Sequence, residues 1–181
     1  MEKQNIYQDI SARTGGEIYL GVVGPVRSGK STFIKRFMEL LVLPAIKDEN
    51  ERKRTMDELP QSGTGKIVMT TEPKFIPKEA AELPMEDMKI KIRLIDCVGF
   101  MIPGAGGNLE NGQERLVKTP WFDYEVPFTK AAEYGTRKVI RDHSTIGILV
   151  TADGSFGEIP RDSYVEAVSY THLRAHETCA D

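Results

Sequence analysis

Gly24-Pro25-Val26-Arg27-Ser28-Gly29-Lys30-Ser31 is an uninterrupted P-loop string, and its flanks decide the fold. The apolar run Ile18-Tyr19-Leu20-Gly21-Val22-Val23 leads into it and predicts a strand. Residues 32–41 lead out, with apolar side chains at 33, 34, 37, 38 and 41. That is the i, i+3/i+4 stripe of a helix laid on a sheet, and Pro44 is expected to end it. Strand, glycine loop and helix in this order suit a phosphate: the glycines let the backbone wrap the anion, and successive N–H groups with the helix N-terminus point at it. Gly24, Pro25, Val26, Arg27, Ser28, Gly29, Lys30, Ser31 and Thr32 are therefore expected to hold a nucleoside triphosphate. Lys30 would add charge near the β- and γ-phosphates, and the Ser31 hydroxyl would ligate Mg²⁺.

Further along, Lys89-Ile90-Lys91-Ile92-Arg93-Leu94-Ile95-Asp96 alternates charged and apolar residues before turning wholly apolar. It predicts a half-exposed strand whose carboxyl end enters the interior. Asp96-Cys97-Val98-Gly99 closes it in the manner of a Walker B or DxxG element, in which the aspartate holds Mg²⁺ through water and the Gly99 N–H approaches a γ-phosphate. Between the two elements, Thr70 and Thr71 open the run Thr70-Thr71-Glu72-Pro73. A threonine there can ligate Mg²⁺ and sense the γ-phosphate through its main chain, or simply start a strand; which of the two would touch the metal stays open.

The rest of the chain frames these motifs. Residues 1–16 read as a leader, with about two helical turns over 5–13 stopped by Gly15-Gly16. Residues 47–66 predict a short exposed helix and a loop, and 74–77 a strand edged by prolines. Gly99 to Gly112 is glycine-rich, and Trp121-Phe122-Asp123-Tyr124 between Pro120 and Pro127 reads as a loop clasped by its rings. Residues 128–143 have helical character with a basic last turn. Ile146-Gly147-Ile148-Leu149-Val150 predicts a buried strand. Strands alternating with helices imply an α/β fold, a mostly parallel sheet flanked by helices, with ligands outside the strand carboxyl ends.

Composition sets bounds. At 181 residues one full domain and part of another are allowed. Twenty-seven acidic against 24 basic side chains give no global attraction to nucleic acid or an anionic membrane. No apolar run nears the roughly 20 residues that span a bilayer. The first residues lack a signal-peptide core, so a cytoplasmic protein is expected. Two cysteines, Cys97 and Cys179, make no disulfide framework, and Cys97 reads as a small core residue. His172, His176 and Cys179 would share a helical face, but three ligands on a terminus make a poor zinc site.

P-loop, Thr-Thr-Glu-Pro and Asp-Cys-Val-Gly in this order resemble the translation-factor-related GTPase class. Two departures stand out. No Asn-Lys-x-Asp base signature occurs, and Phe100 follows Gly99 where many such switches carry a water-orienting glutamine, so hydrolysis is expected to be slow. Arg27 sits where potassium-activated members hold an asparagine. Its guanidinium could supply that charge as a finger in cis, or it could be a solvated loop residue.

More narrowly, the P-loop string, Met69-Thr70-Thr71-Glu72-Pro73-Lys74-Phe75-Ile76-Pro77, Leu94-Ile95-Asp96-Cys97-Val98-Gly99-Phe100 and the tryptophan-bearing glycine-rich insert resemble the stage IV sporulation protein A family, coat morphogenetic ATPases of endospore-forming bacteria. The resemblance covers 1–167. It implies a P-loop ATPase whose turnover of ATP with Mg²⁺ drives self-assembly of the basement layer of the spore coat, in the mother-cell cytoplasm at the outer forespore surface. Implied partners are further copies of the protein, a small amphipathic membrane-anchoring peptide and other coat morphogenetic proteins. The membrane is reached only indirectly, and nucleic acid is not a partner. The implied catalytic residues are Lys30, Thr70, Thr71 and Asp96, joined by Arg27; the implied metal ligands are Ser31, Thr70, Thr71 and Asp96. On this reading 17–167 is an ATPase domain cut short before its last strands, leaving an exposed apolar edge prone to aggregation. The tail 168–181 resembles translated adaptor sequence and is expected to be non-native. Two alternatives stay open: a GTP-binding regulatory switch of the same fold, and a nucleotide-binding scaffold that needs no turnover.

Overall fold

The computed structural model describes residues 14–60, 71–85, 88–105, 107–110, 112–155 and 159–165. Its main sheet has four strands in the order β2 (Lys74–Met85), β3 (Met88–Asp96), β1 (Glu17–Val23), β8 (Ile146–Leu149). β1 runs parallel to both β3 and β8, and β2 joins as an antiparallel edge. This is a mixed α/β architecture whose parallel centre lies between helices.

Period two along β1 divides its side chains between two cores. Ile18, Leu20 and Val22 meet Ile34 and Met38 of α1 (Lys30–Phe37) and its continuation, together with Ile90, Ile92 and Leu94 of β3. Val23 turns the other way, with Ile95, Cys97 and Val139. Val139 belongs to a π-helical turn, Val139–His143, that prolongs the helix Phe128–Lys138. β1 is thus covered on both faces.

The first helix keeps its expected stripe at Phe33, Ile34, Phe37 and Met38, which face the core, and departs from it only beyond them. After Phe37 it widens into a π-turn over Met38–Val42 and tightens into a 3-10 turn over Leu43–Ala45, with Pro44 in that last turn. The buried positions are 34, 38 and 42, while Leu41 is exposed. A spacing of four overshoots an α-turn, and the wider π-turn absorbs the excess. The charged stretch after it forms α2 (Glu49–Asp57), capped by the Asp48 carboxylate, which accepts the Glu51 N–H at 2.7 Å.

Three further expectations are corrected. β2 does not stop at Pro77 but runs past it through a register shift between Ile76 and Ala81, a place where an edge strand can spare an N–H. Residues 109–127 are not loop alone: β4 (Leu109–Glu110) pairs with β5 (Gln113–Glu114), and β6 (Leu116–Thr119) pairs with β7 (Phe122–Pro127). The aromatic clasp is the turn of that second hairpin, docked on α3, the helix Phe128–Lys138, through Tyr134. Finally, β8 is not buried. Ile146, Gly147 and Leu149 are exposed, and among the described residues β8 pairs only with β1.

The leader up to residue 13, the loop 61–70 and the tail from 166, with His172, His176 and Cys179, lie outside the described residues.

Candidate functional site

The turn after β1 carries the geometry its glycines allow. Gly24 has φ 142 and sits so close to the Val150 carbonyl that a Cβ would lie 2.0 Å from its oxygen. Arg27 adopts the left-handed region at φ 62, uncommon for a residue with a side chain, and is exposed. Gly29, at φ 94, precedes the first residue of α1, and a Cβ on it would meet nothing within 4 Å. The outer wall of the turn is therefore open while its inner wall is packed. Val26 is buried there beside Ile102, Ala105, Ile159 and Tyr164.

The end of β3 reaches the same place. The Phe100 N–H donates to the Gly24 carbonyl at 3.1 Å, and the Val26 N–H donates to the Phe100 carbonyl at 2.8 Å, a parallel bridge between the two loops. Gly99, at φ 94, has no room for a side chain: a Cβ would stand 2.2 Å from the Gly24 oxygen and 2.6 Å from Lys30 Nζ. Phe100, in the position of a water-orienting glutamine, is buried.

Lys30 is buried and donates through Nζ to the Pro25 carbonyl at 2.6 Å. Burial holds its ammonium below the usual lysine range, against the opposing pull of Cys97 and Asp96 beside it. The Ser31 hydroxyl donates to Asp96 Oδ2 at 2.7 Å, and Asp96 Oδ1 is buried without a hydrogen-bond partner. Burial raises the Asp96 carboxyl above the ordinary range, opposed by the Ser31 hydrogen bond and by Lys30. Ser28 Oγ is likewise buried without a partner. A hydroxyl and a half-satisfied carboxylate under a lysine make a hard-oxygen donor set that fits Mg²⁺. Among the described residues no three His, Cys, Asp or Glu gather into a metal cluster.

Gly24, Pro25, Val26, Ser28, Lys30, Ser31, Asp96 and Gly99 are thus brought together, with Gly29 on the open side. Thr32 is exposed on the first helical turn. Thr71 is buried, three residues before Lys74, whose Cα pairs with that of Asp96. Thr70 lies outside the described residues. Arg27 is near enough to Tyr164 for its charge to oppose the upward shift that burial imposes on the phenol. What sequence reasoning missed is the Phe100 bridge and the contribution of α3. Thr136 on that helix reaches the Cys97 thiol, next to Asp96. The small residues Ala131, Ala132 and Gly135 were the available signal for a helix in close approach.

The fold and site define a mixed α/β domain with a glycine-rich strand-to-helix turn facing a strand-end carboxylate. The chain matches the profile of "Stage IV sporulation protein A, ATPase domain" over residues 1–175, and it belongs to the stage IV sporulation protein A family. Similar relatives of that name come from Bacillus anthracis and Bacillus subtilis (strain 168), 55% and 56% identical over 168 residues. Another, from Clostridioides difficile (strain 630), is 58% identical over 163 residues. These matches take in 90–92% of this chain and 33–34% of each relative, so the chain spans about a third of their length. No solved structure matches it significantly. Among the described residues no helix is long and apolar enough to cross a membrane.

Proposed function

We propose that this domain is a P-loop nucleoside triphosphatase of the translation-factor-related kind, which binds ATP in the 24–32 turn and hydrolyses it slowly. The observation that carries this is the Ser31–Asp96 contact of 2.7 Å, with the second Asp96 oxygen unsatisfied and Lys30 close by. The N–H groups at the start of α1 would orient the β-phosphate, and Lys30 would exchange the Pro25 carbonyl for phosphate oxygens. Ser31 and Asp96, with Thr71 or Thr70, would hold Mg²⁺, which when bound would supply positive charge to the phosphates. Gly99 would let its own main chain approach the γ-phosphate. Phe100 offers no polar atom to a water, which suits slow turnover. Arg27, on the rim, would add positive charge to the transition state.

Turnover of ATP would drive self-assembly into the basement layer of the spore coat around the forespore, in the mother-cell cytoplasm. A small amphipathic anchoring peptide and other coat morphogenetic proteins would join it there. The support is family membership together with the site. The test uses the full-length protein, with phosphate release and sedimentation measured together. Lys30→Ala and Asp96→Asn are each expected to lower kcat/KM about a hundredfold or more and to stop ATP-dependent pelleting. Polymer formation by both variants at the normal rate would instead favour a scaffold, and tighter competition by GTP than by ATP would favour a guanine-nucleotide switch.

A further inference from the structure

Three elements distant in sequence meet at one glycine. On α3, a Cβ added to Gly135 would lie 2.8 Å from the Thr71 carbonyl oxygen, 2.9 Å from Trp121 Cη2 and 3.3 Å from Trp121 Cζ3. Such approaches are closer than real Cβ atoms tolerate when one neighbour is backbone and the other a rigid indole. The helix surface, the indole from the β6–β7 turn and the main chain at Thr71 are therefore in mutual contact. Thr71 itself is buried.

The indole is held from two sides. Its ring centroid lies 5.4 Å from that of Tyr134, which also packs on Phe122 at 5.1 Å. The Trp121 main-chain N–H donates to Thr119 Oγ1 at 3.3 Å and closes the turn. The next residue of the helix, Thr136, donates to the Ala132 carbonyl at 2.8 Å and reaches the Cys97 thiol. Gly135 and Thr136 thus touch, side by side, the segment that carries Thr71 and the segment that follows Asp96. One rigid helix sets the spacing between the two.

We propose that Trp121 and Gly135 are positioning residues: they form a seat on α3 that holds the Thr71 main chain at the distance from Asp96 that hydrolysis requires. This rests on the ATPase reading above. Neither residue belongs to the phosphate turn or carries a charge, so their effect is expected to fall on kcat through Thr71 far more than on ATP affinity. A misplacement of the order of 1 Å at such a group costs on the order of a hundredfold in rate.

The test measures steady-state hydrolysis of Mg·ATP by the full-length protein. Gly135→Ala and Trp121→Ala are each expected to lower kcat about tenfold to a hundredfold while KM moves less than about threefold. Trp121→Phe, which keeps a flat ring on the glycine, is expected to restore kcat to within about threefold of the parent. Gly147→Ala, in open space on β8, serves as the control and is expected to leave both constants unchanged. Normal kcat in Gly135→Ala, or KM rising in step with any loss of kcat, overturns the proposal while leaving the ATPase reading intact. A parent protein that turns over no ATP overturns both.

A second measurement needs no folding-sensitive variant. Trp121 is the one tryptophan of these 181 residues, and any outside them would be changed to phenylalanine. Its emission is expected to shift on adding Mg·ATP as the Thr71 main chain settles, and to stay still in Lys30→Ala. Emission indifferent to Mg·ATP in a protein that hydrolyses it overturns the seat.

Discussion

β1 and β8 lie side by side in parallel, pairing Leu20 with Ile146, Gly21 with Gly147, Val22 with Ile148 and Val23 with Leu149. Residue by residue they are close to the same strand. Yet Leu20, Val22 and Val23 are buried, while Ile146 and Leu149 are 39% and 40% exposed. What separates them is company. β1 has a strand on either side and a helical layer on each face, whereas β8 has one neighbour among the described residues. Burial belongs to the position in the sheet, and hydrophobicity alone does not report it.

The contrast can be broken experimentally, and the largest effect is expected at the first pair. Leu20→Ala should cost about 2–5 kcal/mol in urea unfolding and Ile146→Ala less than about 1 kcal/mol, because only the first leaves a cavity. Equal losses would mean that β8 is covered in solution. The glycine pair comes next. A Cβ on Gly21 would fall 1.9 Å from Ser144 Oγ and 3.0 Å from Val139 Cγ1, and Ser144 already donates to the Val139 carbonyl at 2.5 Å. Gly21→Ala should therefore destabilise by about 1–3 kcal/mol, whereas Gly147→Ala should raise stability by about 0.5 kcal/mol through the unfolded chain alone. Thermal melts of the two variants separate these directions. The smallest effect on stability belongs to Leu149→Lys, within about 0.5 kcal/mol, but it should visibly reduce light scattering if the free edge drives association. Unchanged scattering would place the sticky surface elsewhere.

The same comparison shows where a sequence stops being informative. The flanks of the 24–31 turn, the start of the helix at Lys30 and the run to Asp96 were legible because local pattern and final environment agree there. The burial of β8 was not, because an apolar run looks alike at a sheet's centre and at its edge. The β6–β7 hairpin was hidden by Pro120 and Pro127, which punctuate like a loop although one sits in the turn and the other ends an outer strand. The π-turn at Met38 could not be read either, since its cause is the match of helix to sheet and not any residue in it. Within the candidate site, the meeting of Ser31 and Asp96 was legible from the motifs that carry them. The seat at Gly135 was not, because it joins three segments that no motif connects.

Arg27 carries one more implication. Its backbone lies in a conformation that glycine or asparagine would adopt with little strain, whereas a larger residue gives up about 1 kcal/mol to hold it. An exchange to glycine there would relax the main chain and remove a cation in a single step. Main-chain relief alone would raise the melting temperature of Arg27→Gly, less whatever the side chain's own contacts contribute, and on the proposed ATPase reading the variant should also work more slowly.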